Sequence, residues 1–377
     1  MILAIQTLER SENLDRAAID GFLRHHTFPL IEGPHATFAW RGEADAVHLR
    51  HWVFGLPSEM AFKRLPNTDL WYLTLDLPKR SRFEYKFEIV RGGHGQWTRD
   101  PLNRHKAHDP YGANSVCHGE GYVVPDWCLP DPDARKGETL EVTLDDTPLG
   151  SRALTIYLPA RYRESRRYPL LIVHDGGDYL KYASLKTVLD NLIHRLEVAP
   201  LIVALSHPKN RMTEYPDDPR HAALVAEHIL PYMESRFPLY GRPDSRCLMG
   251  ASFGGVASLS TAWRYPGVFG RLLLQSGSFA FTDIGAHKRG PAFDRVVRFV
   301  NEFRENPGVP SERVYLSCGT YESLIYENRS MVPFLQSTGM EVRFDESRDG
   351  HNWENWRDRL QTGLSWLYPG PLWMVYE

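Results

Sequence analysis

The spacing of apolar residues changes twice along the 377-residue chain. Near the amino terminus Leu14, Ala18 and Phe22, flanked by Ile19 and Leu23, recur at helical spacing and predict one short amphipathic helix. From residue 35 the period drops to two. His35–Trp40, Ala46–Arg50, Leu70–Leu75 and Phe83–Ile89 alternate between apolar and polar positions and are separated by Gly, Pro, Asn and Asp turn signals. Short runs at that spacing predict an antiparallel sandwich of the immunoglobulin-like type.

Between Pro125 and Gly137 the chain carries three prolines and no period, as a linker or domain edge does. This divides the protein into an amino-terminal domain, 1–130, and a carboxyl-terminal domain, 131–377. Two antiparallel strands, Leu140–Leu144 and Leu154–Leu158, open the second domain. Strand-like and helical runs then alternate. The expected strands are Leu170–Val173, Leu201–Leu205, Arg246–Met249, Leu272–Leu274 and Val314–Cys318. The expected helices are Tyr182–Leu196, Ala222–Phe237, Val256–Trp263, Phe293–Phe303 and one from Met331. Such alternation implies an α/β domain whose mostly parallel sheet carries helices on both faces.

Composition narrows the function classes. A 42% hydrophobic content with 29 Gly and 27 Pro is that of a globular chain, excluding fibrous and mainly disordered states. With 44 Lys+Arg against 47 Asp+Glu, a net charge of −3, there is no general basic field for nucleic acid or an anionic membrane. An anionic ligand would need locally placed arginines. The first residues lack a basic region, Gln6 and Glu9 interrupt their apolar run, and no segment approaches the ~18 apolar residues of a membrane span. Cys117, Cys128, Cys247 and Cys318 are sparse and lack metal-ligand spacing, which suits reduced thiols in a cytoplasmic protein; Cys247 and Cys318 read as core.

The chemistry is concentrated in Gly250-Ala251-Ser252-Phe253-Gly254, a Gly-x-Ser-x-Gly string between an expected strand and an expected helix. That is the context of the nucleophile elbow of α/β-hydrolases, where a sharp turn needs small residues two before and two after the serine. The string alone is moderate evidence, since about one chain in eight of this composition carries it by chance. A serine needs a base and an orienting acid, in the order Ser, acid, His for this fold. Glu322 follows the strand ending at Cys318, and His351 sits in a glycine turn after the short run Val342–Phe344. Glu327, Asp345 and Asp349 are alternatives for the acid. His287 competes for the base, but no strand delivers it. Phe253 offers one oxyanion N–H, and Gly177, in the loop after Leu170–Val173, is the candidate for the second.

These residues resemble a known family. His174-Asp-Gly-Gly177, Arg211-Met-Thr-Glu-Tyr215, the elbow string, Cys318-Gly-Thr-Tyr-Glu322 and Gly350-His-Asn-Trp353 look like the esterase D family of α/β-hydrolases, and within it the enterochelin (ferric enterobactin) esterases. Phe83–Phe87 and Trp97–Asn103 look like the immunoglobulin-like front module of those enzymes. The resemblance implies a Ser252–Glu322–His351 triad and an acyl-enzyme mechanism without cofactor or metal. It also implies a siderophore trilactone as substrate, and it places Arg211, Glu214 and Tyr215 near that substrate. Many relatives have Asp where this chain has Glu322, although some use Glu.

A triply anionic catecholate calls for cations and aromatic faces. Arg211 is the best placed of Lys209, Arg211, Lys288, Arg289 and Arg329, each of which is otherwise a solvated surface cation. Of the tryptophans in the front module, Trp40 and Trp71 read as core, while Trp97, in a turn-like segment, is open to a role at the catalytic mouth; Trp52 is the fourth. In Ser278–Gly290, Gly285, Gly290 and mixed polarity permit movement, and a role as a lid is left open. The expected partner is a small ester, with no nucleic acid or membrane, and homo-oligomerisation is left open. A feruloyl, acetyl or general carboxylesterase is the alternative enzyme, and a carbohydrate-binding or scaffold protein the non-catalytic one.

Overall fold

The alternating runs of the amino-terminal third form two antiparallel sheets in a computed structural model that describes residues 2–11, 14–282 and 290–371. The strands are β1 (Leu30–Glu32), β2 (His35–Arg41), β3 (Ala46–His51), β4 (Glu59–Ala61), β5 (Lys63–Arg64), β6 (Leu70–Asp76), β7 (Arg82–Arg91), β8 (His94–Thr98), β9 (Lys106–Asp109) and β10 (Gly112–His118). One sheet runs β1-β2-β6-β5, the other β4-β3-β7-β10-β9, with β8 also paired to β7. Alternate residues point inward: Phe38, Trp40 and Trp71 from the first sheet meet Val47, Leu49, Phe83, Tyr85 and Phe87 from the second. Trp40 and Trp71 are core, as their strand positions predict, whereas Trp52 and Trp97 are about half exposed. The outer face of the first sheet is covered by α1 (Ala4–Glu9), which the sequence pattern did not predict, and α2 (Arg16–His25). Asp15 caps α2 by accepting the Ala18 N–H at 2.8 Å.

The chain divides into two compact units, and the break falls at Val124/Pro125. The first unit is discontinuous: residues 319–323 and 347–352, which chain order places in the second domain, group with residues 1–124. The proline-rich stretch expected as a linker is ordered within the second unit, where Asn191 donates to the carbonyls of Trp127 and Leu129, each at 2.8 Å.

In the second unit an eight-stranded mixed sheet is ordered β11-β12-β14-β13-β15-β16-β17-β18. These strands are β11 (Glu138–Leu144), β12 (Arg152–Leu158), β13 (Leu170–Val173), β14 (Ile202–Ser206), β15 (Arg246–Ala251), β16 (Arg271–Gln275), β17 (Arg313–Gly319) and β18 (Glu341–Ser347). β11 and β12 are antiparallel, as expected, and β13 to β17 are mutually parallel. The parallel strands are continuous apolar runs because both sheet faces are covered. Cys247 and Cys318 lie buried in β15 and β17.

The crossovers carry α3 (Gly176–Tyr182), α4 (Leu185–His194), α5 (Arg211–Glu214), α6 (Pro219–Ala223), α7 (Leu230–Arg236), α8 (Phe253–Arg264), α9 (Pro291–Glu305) and α10 (Ile325–Ser337), and α11 (Trp353–Leu367) follows the last strand. The helix expected over Ala222–Phe237 contains a π-helical turn, Leu224–Ile229, just before Pro231, which has no N–H to donate. α10 begins six residues before the expected Met331, because the buried Asn328 interrupts its apolar stripe. Among the described residues no helix is long and apolar enough to cross a membrane.

Candidate active site

Ser252 stands between β15 and α8 with φ 56° and ψ −121°, a conformation that side-chain-bearing residues seldom adopt. The flanking glycines explain how the turn is possible. A Cβ on Gly250 would collide with the Gly254 backbone, and one on Gly254 would lie 3.3 Å from Cβ of His174. The bend is pinned from the neighbouring strand end: Ser252 N–H donates to the Gln275 carbonyl at 2.9 Å, and Ser278 N–H donates to the Ser252 carbonyl at 3.2 Å. Ser252 Oγ lies 3.3 Å from Oγ of Ser278, a neighbour that no sequence signal marks. Phe253 and Gly177 occupy the first turns of α8 and α3, where backbone N–H groups lack intrahelical acceptors. Gly176 cannot carry a side chain because it would strike Leu205 of β14.

Glu322 and His351 are brought together within the first unit. His351 Nδ1–H donates to Glu322 Oε2 at 2.7 Å, and Glu322 Oε1 accepts the Gly319 N–H at 2.8 Å. The Glu322 side chain is 1% exposed, while the imidazole side chain is 40% exposed. Ser252 belongs to the second unit. The other acids are engaged elsewhere: Asp349 with Arg82 at 3.0 Å and Asp345 with the Tyr315 hydroxyl at 2.8 Å, while Glu327 lies in the first turn of α10. His287, Lys288 and Arg289 lie outside the described residues, as do residues 283–289 of the Ser278–Gly290 loop, whose Ser278, Phe279 and Ala280 are buried.

Of the loop residues expected at a substrate, Arg211 is partly exposed. Its guanidinium forks onto Asp175 at 3.2 and 3.1 Å and lies 6.0 Å from the Phe253 ring centroid, beside the elbow. Burial opposes its charge, but the Asp175 carboxylate outweighs burial and raises its pKa. Glu214 and Tyr215, expected near the substrate, are interior. Glu214 pairs with Arg152 at 2.8 Å and accepts the Lys209 and Asn210 N–H groups, and the Tyr215 hydroxyl accepts the Asp175 N–H at 3.0 Å. Both shape the loop that presents Arg211. Arg329 is tied to Glu346 and Lys209 is exposed.

Among the described residues, His48, Glu59 and Glu88 bring metal-ligand atoms within 4.8 Å of one another. Arg50 already neutralises them, contacting Glu88 and reaching Glu59 at 2.6 Å, so the group is an ion-pair cluster.

The family model described as Putative esterase matches residues 148–367. The chain belongs to that family. Iron(III) enterobactin esterase of Escherichia coli K12 is 26% identical over 368 residues, covering 87% of this chain and 90% of that protein. The crystal structure of the Shigella flexneri enterobactin esterase in the presence of enterobactin aligns with TM-score 0.73 at 21% identity, covering 88% and 92% of the two chains. A ferulic acid esterase structure aligns with TM-score 0.52 at 19% identity, covering 62% and 98%. The fold is that of an α/β-hydrolase with a mixed sheet.

In this member of the Putative esterase family, a buried imidazole pair lies behind the elbow, unforeseen from sequence. His174 Nδ1–H donates to the Met249 carbonyl at 3.1 Å, and its Nε2 lies 2.9 Å from Nε2 of His221. The facing nitrogens hold one proton between them. Burial lowers the His174 pKa from 6.5 to about 4, and burial together with His174 and Arg152 holds His221 well below its ordinary value. Between those two values the unfolded His174 binds a proton that the folded one does not. Its contribution is therefore complete above pH 6.5 and is lost as pH falls toward 4. Urea unfolding midpoints should fall steadily from pH 7 to pH 4.5, and less steeply in His174→Gln.

Proposed function

We propose that this protein is a serine carboxylic-ester hydrolase acting through an acyl-enzyme, with a siderophore trilactone of the enterobactin type as its substrate. His351 takes the Ser252 proton, Ser252 attacks the ester carbonyl, and the Phe253 and Gly177 N–H groups receive the developing oxyanion. The protonated imidazole then gives its proton to the departing alkoxide, and water activated by His351 releases the acid. Glu322 orients the imidazole through the 2.7 Å hydrogen bond. The observation that carries this reading is the strained Ser252 elbow at φ 56° and ψ −121°, a backbone cost that a purely structural turn would not need. We read the two facing antiparallel sheets of the first unit as the immunoglobulin-like front module.

The test of the nucleophile is intact-mass spectrometry after reaction with a fluorophosphonate. One adduct on the wild type, absent from Ser252→Ala, supports the reading; no adduct on the folded wild type overturns it. The substrate is tested separately by kcat/KM on ferric enterobactin, methyl ferulate and an aryl acetate, and a preference for the ferulate or acetate would replace the siderophore with the second enzyme class.

The front module carries a surface suited to a catecholate. Trp97 and Trp52 are half exposed with centroids 6.5 Å apart, Arg50 lies 5.6 Å from the Trp97 centroid, and the Trp52 segment is tied to the triad region by Phe54 N–H donating to the Tyr321 carbonyl at 2.8 Å. Trp97→Ala is expected to raise KM for ferric enterobactin about fivefold, the scale of an exposed aromatic or cation–π contact. KM for an aryl acetate should not change. An unaltered siderophore KM would remove this surface from the substrate path.

A further inference from the structure

Arg82, the first residue of β7, is wholly buried although it lies in the amino-terminal part of the chain, 267 positions before its main partner. Its Nη1 donates to Asp349 at 3.0 and 3.2 Å and to Asn352 Oδ1 at 3.0 Å, its Nη2 donates to Glu84 at 3.2 Å, and its backbone N–H donates to the Arg348 carbonyl at 2.8 Å. Those contacts fall on both sides of His351. Asp349 passes the restraint on: its carboxylate accepts the Gly350 N–H at 2.7 Å, and its carbonyl accepts the Tyr321 N–H at 3.1 Å, next to Glu322. Tyr321 is in turn held to Ser81, the neighbour of Arg82, by a 2.6 Å hydroxyl–hydroxyl hydrogen bond.

A guanidinium wholly removed from water, with its acids, is a poor source of net stability, because desolvation offsets most of the attraction. Its planar fork does fix direction, which one flexible ammonium does not. We propose that Arg82 is a positioning residue for His351: from the amino-terminal sheet it sets the turn 348–352, and so holds the imidazole against Glu322. This rests on the triad reading given above. The front module then supplies part of the catalytic geometry itself, besides any contact with substrate.

The test uses the full chain carrying Arg82→Met or Arg82→Lys, with His351→Gln as reference, assayed on p-nitrophenyl butyrate. Thermal unfolding and the low-field proton resonance of the His351–Glu322 hydrogen bond are recorded alongside. Folded Arg82→Met should lose about 10²-fold in kcat, the cost of a catalytic group displaced by about an ångström, and should lose the resonance. KM should change by less than about threefold, since ground-state binding is not removed. Arg82→Lys should recover part of kcat. A kcat within about threefold of wild type in folded Arg82→Met, or a lost kcat with the wild-type resonance intact, would overturn the proposal. If Arg82→Met does not fold, Arg82→Lys decides alone: wild-type kcat and resonance overturn it, and a reduced kcat with an altered resonance supports it. Full activity in His351→Gln would instead sink the triad reading on which the proposal depends.

Discussion

Ser252→Ala is expected to lower kcat on every ester by at least about 10³-fold while the protein stays folded, as happens when the nucleophile of a triad is removed. The side chain contributes little to the fold, its oxygen making a 3.3 Å contact with Ser278. The bend is set instead by Gly250, Gly254 and the backbone hydrogen bonds to Gln275 and Ser278. Alanine keeps the Cβ and hence the strain, so the unfolding midpoint should stay near wild type. Glycine at 252 should do something further. Freed of a side chain at φ 56°, it should stabilise the fold by about 1 kcal/mol and be equally inactive. A stabilised, inactive Ser252→Gly would show that the elbow stores strain for catalysis. Retained turnover in either variant, measured on an aryl ester after removal of contaminating esterases, would overturn the assignment of the nucleophile.

Glu322→Gln is expected to cost about 10⁴-fold in kcat, the loss found when a triad carboxylate becomes an amide of the same shape. The physical cause is the proton on the imidazole. In the native site Oε1 accepts the Gly319 N–H and Oε2 accepts the His351 Nδ1–H, leaving Nε2 with the lone pair that a base requires. A glutamine whose oxygen stays with Gly319 turns an NH₂ group toward Nδ1. The imidazole then accepts there and carries its proton on Nε2, the wrong tautomer for a base. The change keeps volume and burial, so circular dichroism and the unfolding midpoint should alter little. A variant retaining more than about a tenth of wild-type kcat would show that Glu322 does not orient the base.

What could be read from the sequence was local. The elbow was legible because Gly250 and Gly254 answer a steric demand within five residues, and the parallel strands because burial on both faces leaves continuous apolar runs. The Glu322–His351 pair followed from chain order and from where strands end. β8 was missed although Gly92-Gly93, both with positive φ, is a two-residue hairpin signal, because the strand itself is exposed and does not alternate. α10 was cut short by Asn328, a polar residue whose core position is satisfied by Gly277. Glu214 and Tyr215 were placed at the substrate by resemblance, whereas the fold uses both to brace a loop. The His174–His221 pair and the Arg82–Asp349 pair were beyond reach, since neither leaves a pattern along the chain.

The discontinuity of the first unit bears on how such chains recombine. Residues 319–323 and 347–352 pack as one body with residues 1–124, so the front sheets are not a cassette that a crossover near residue 125 can exchange. A chimera that takes its first 124 residues from a relative should work only when that relative supplies its own partner for Asp349 and seat for Tyr321, as Arg82 and Ser81 do here. The amino-terminal sheets and residues 319–323 and 347–352 are thus inherited as a matched set, and a cut at residue 125 would leave Glu322 and His351 on the fragment that holds Ser252 but without the residues they group with.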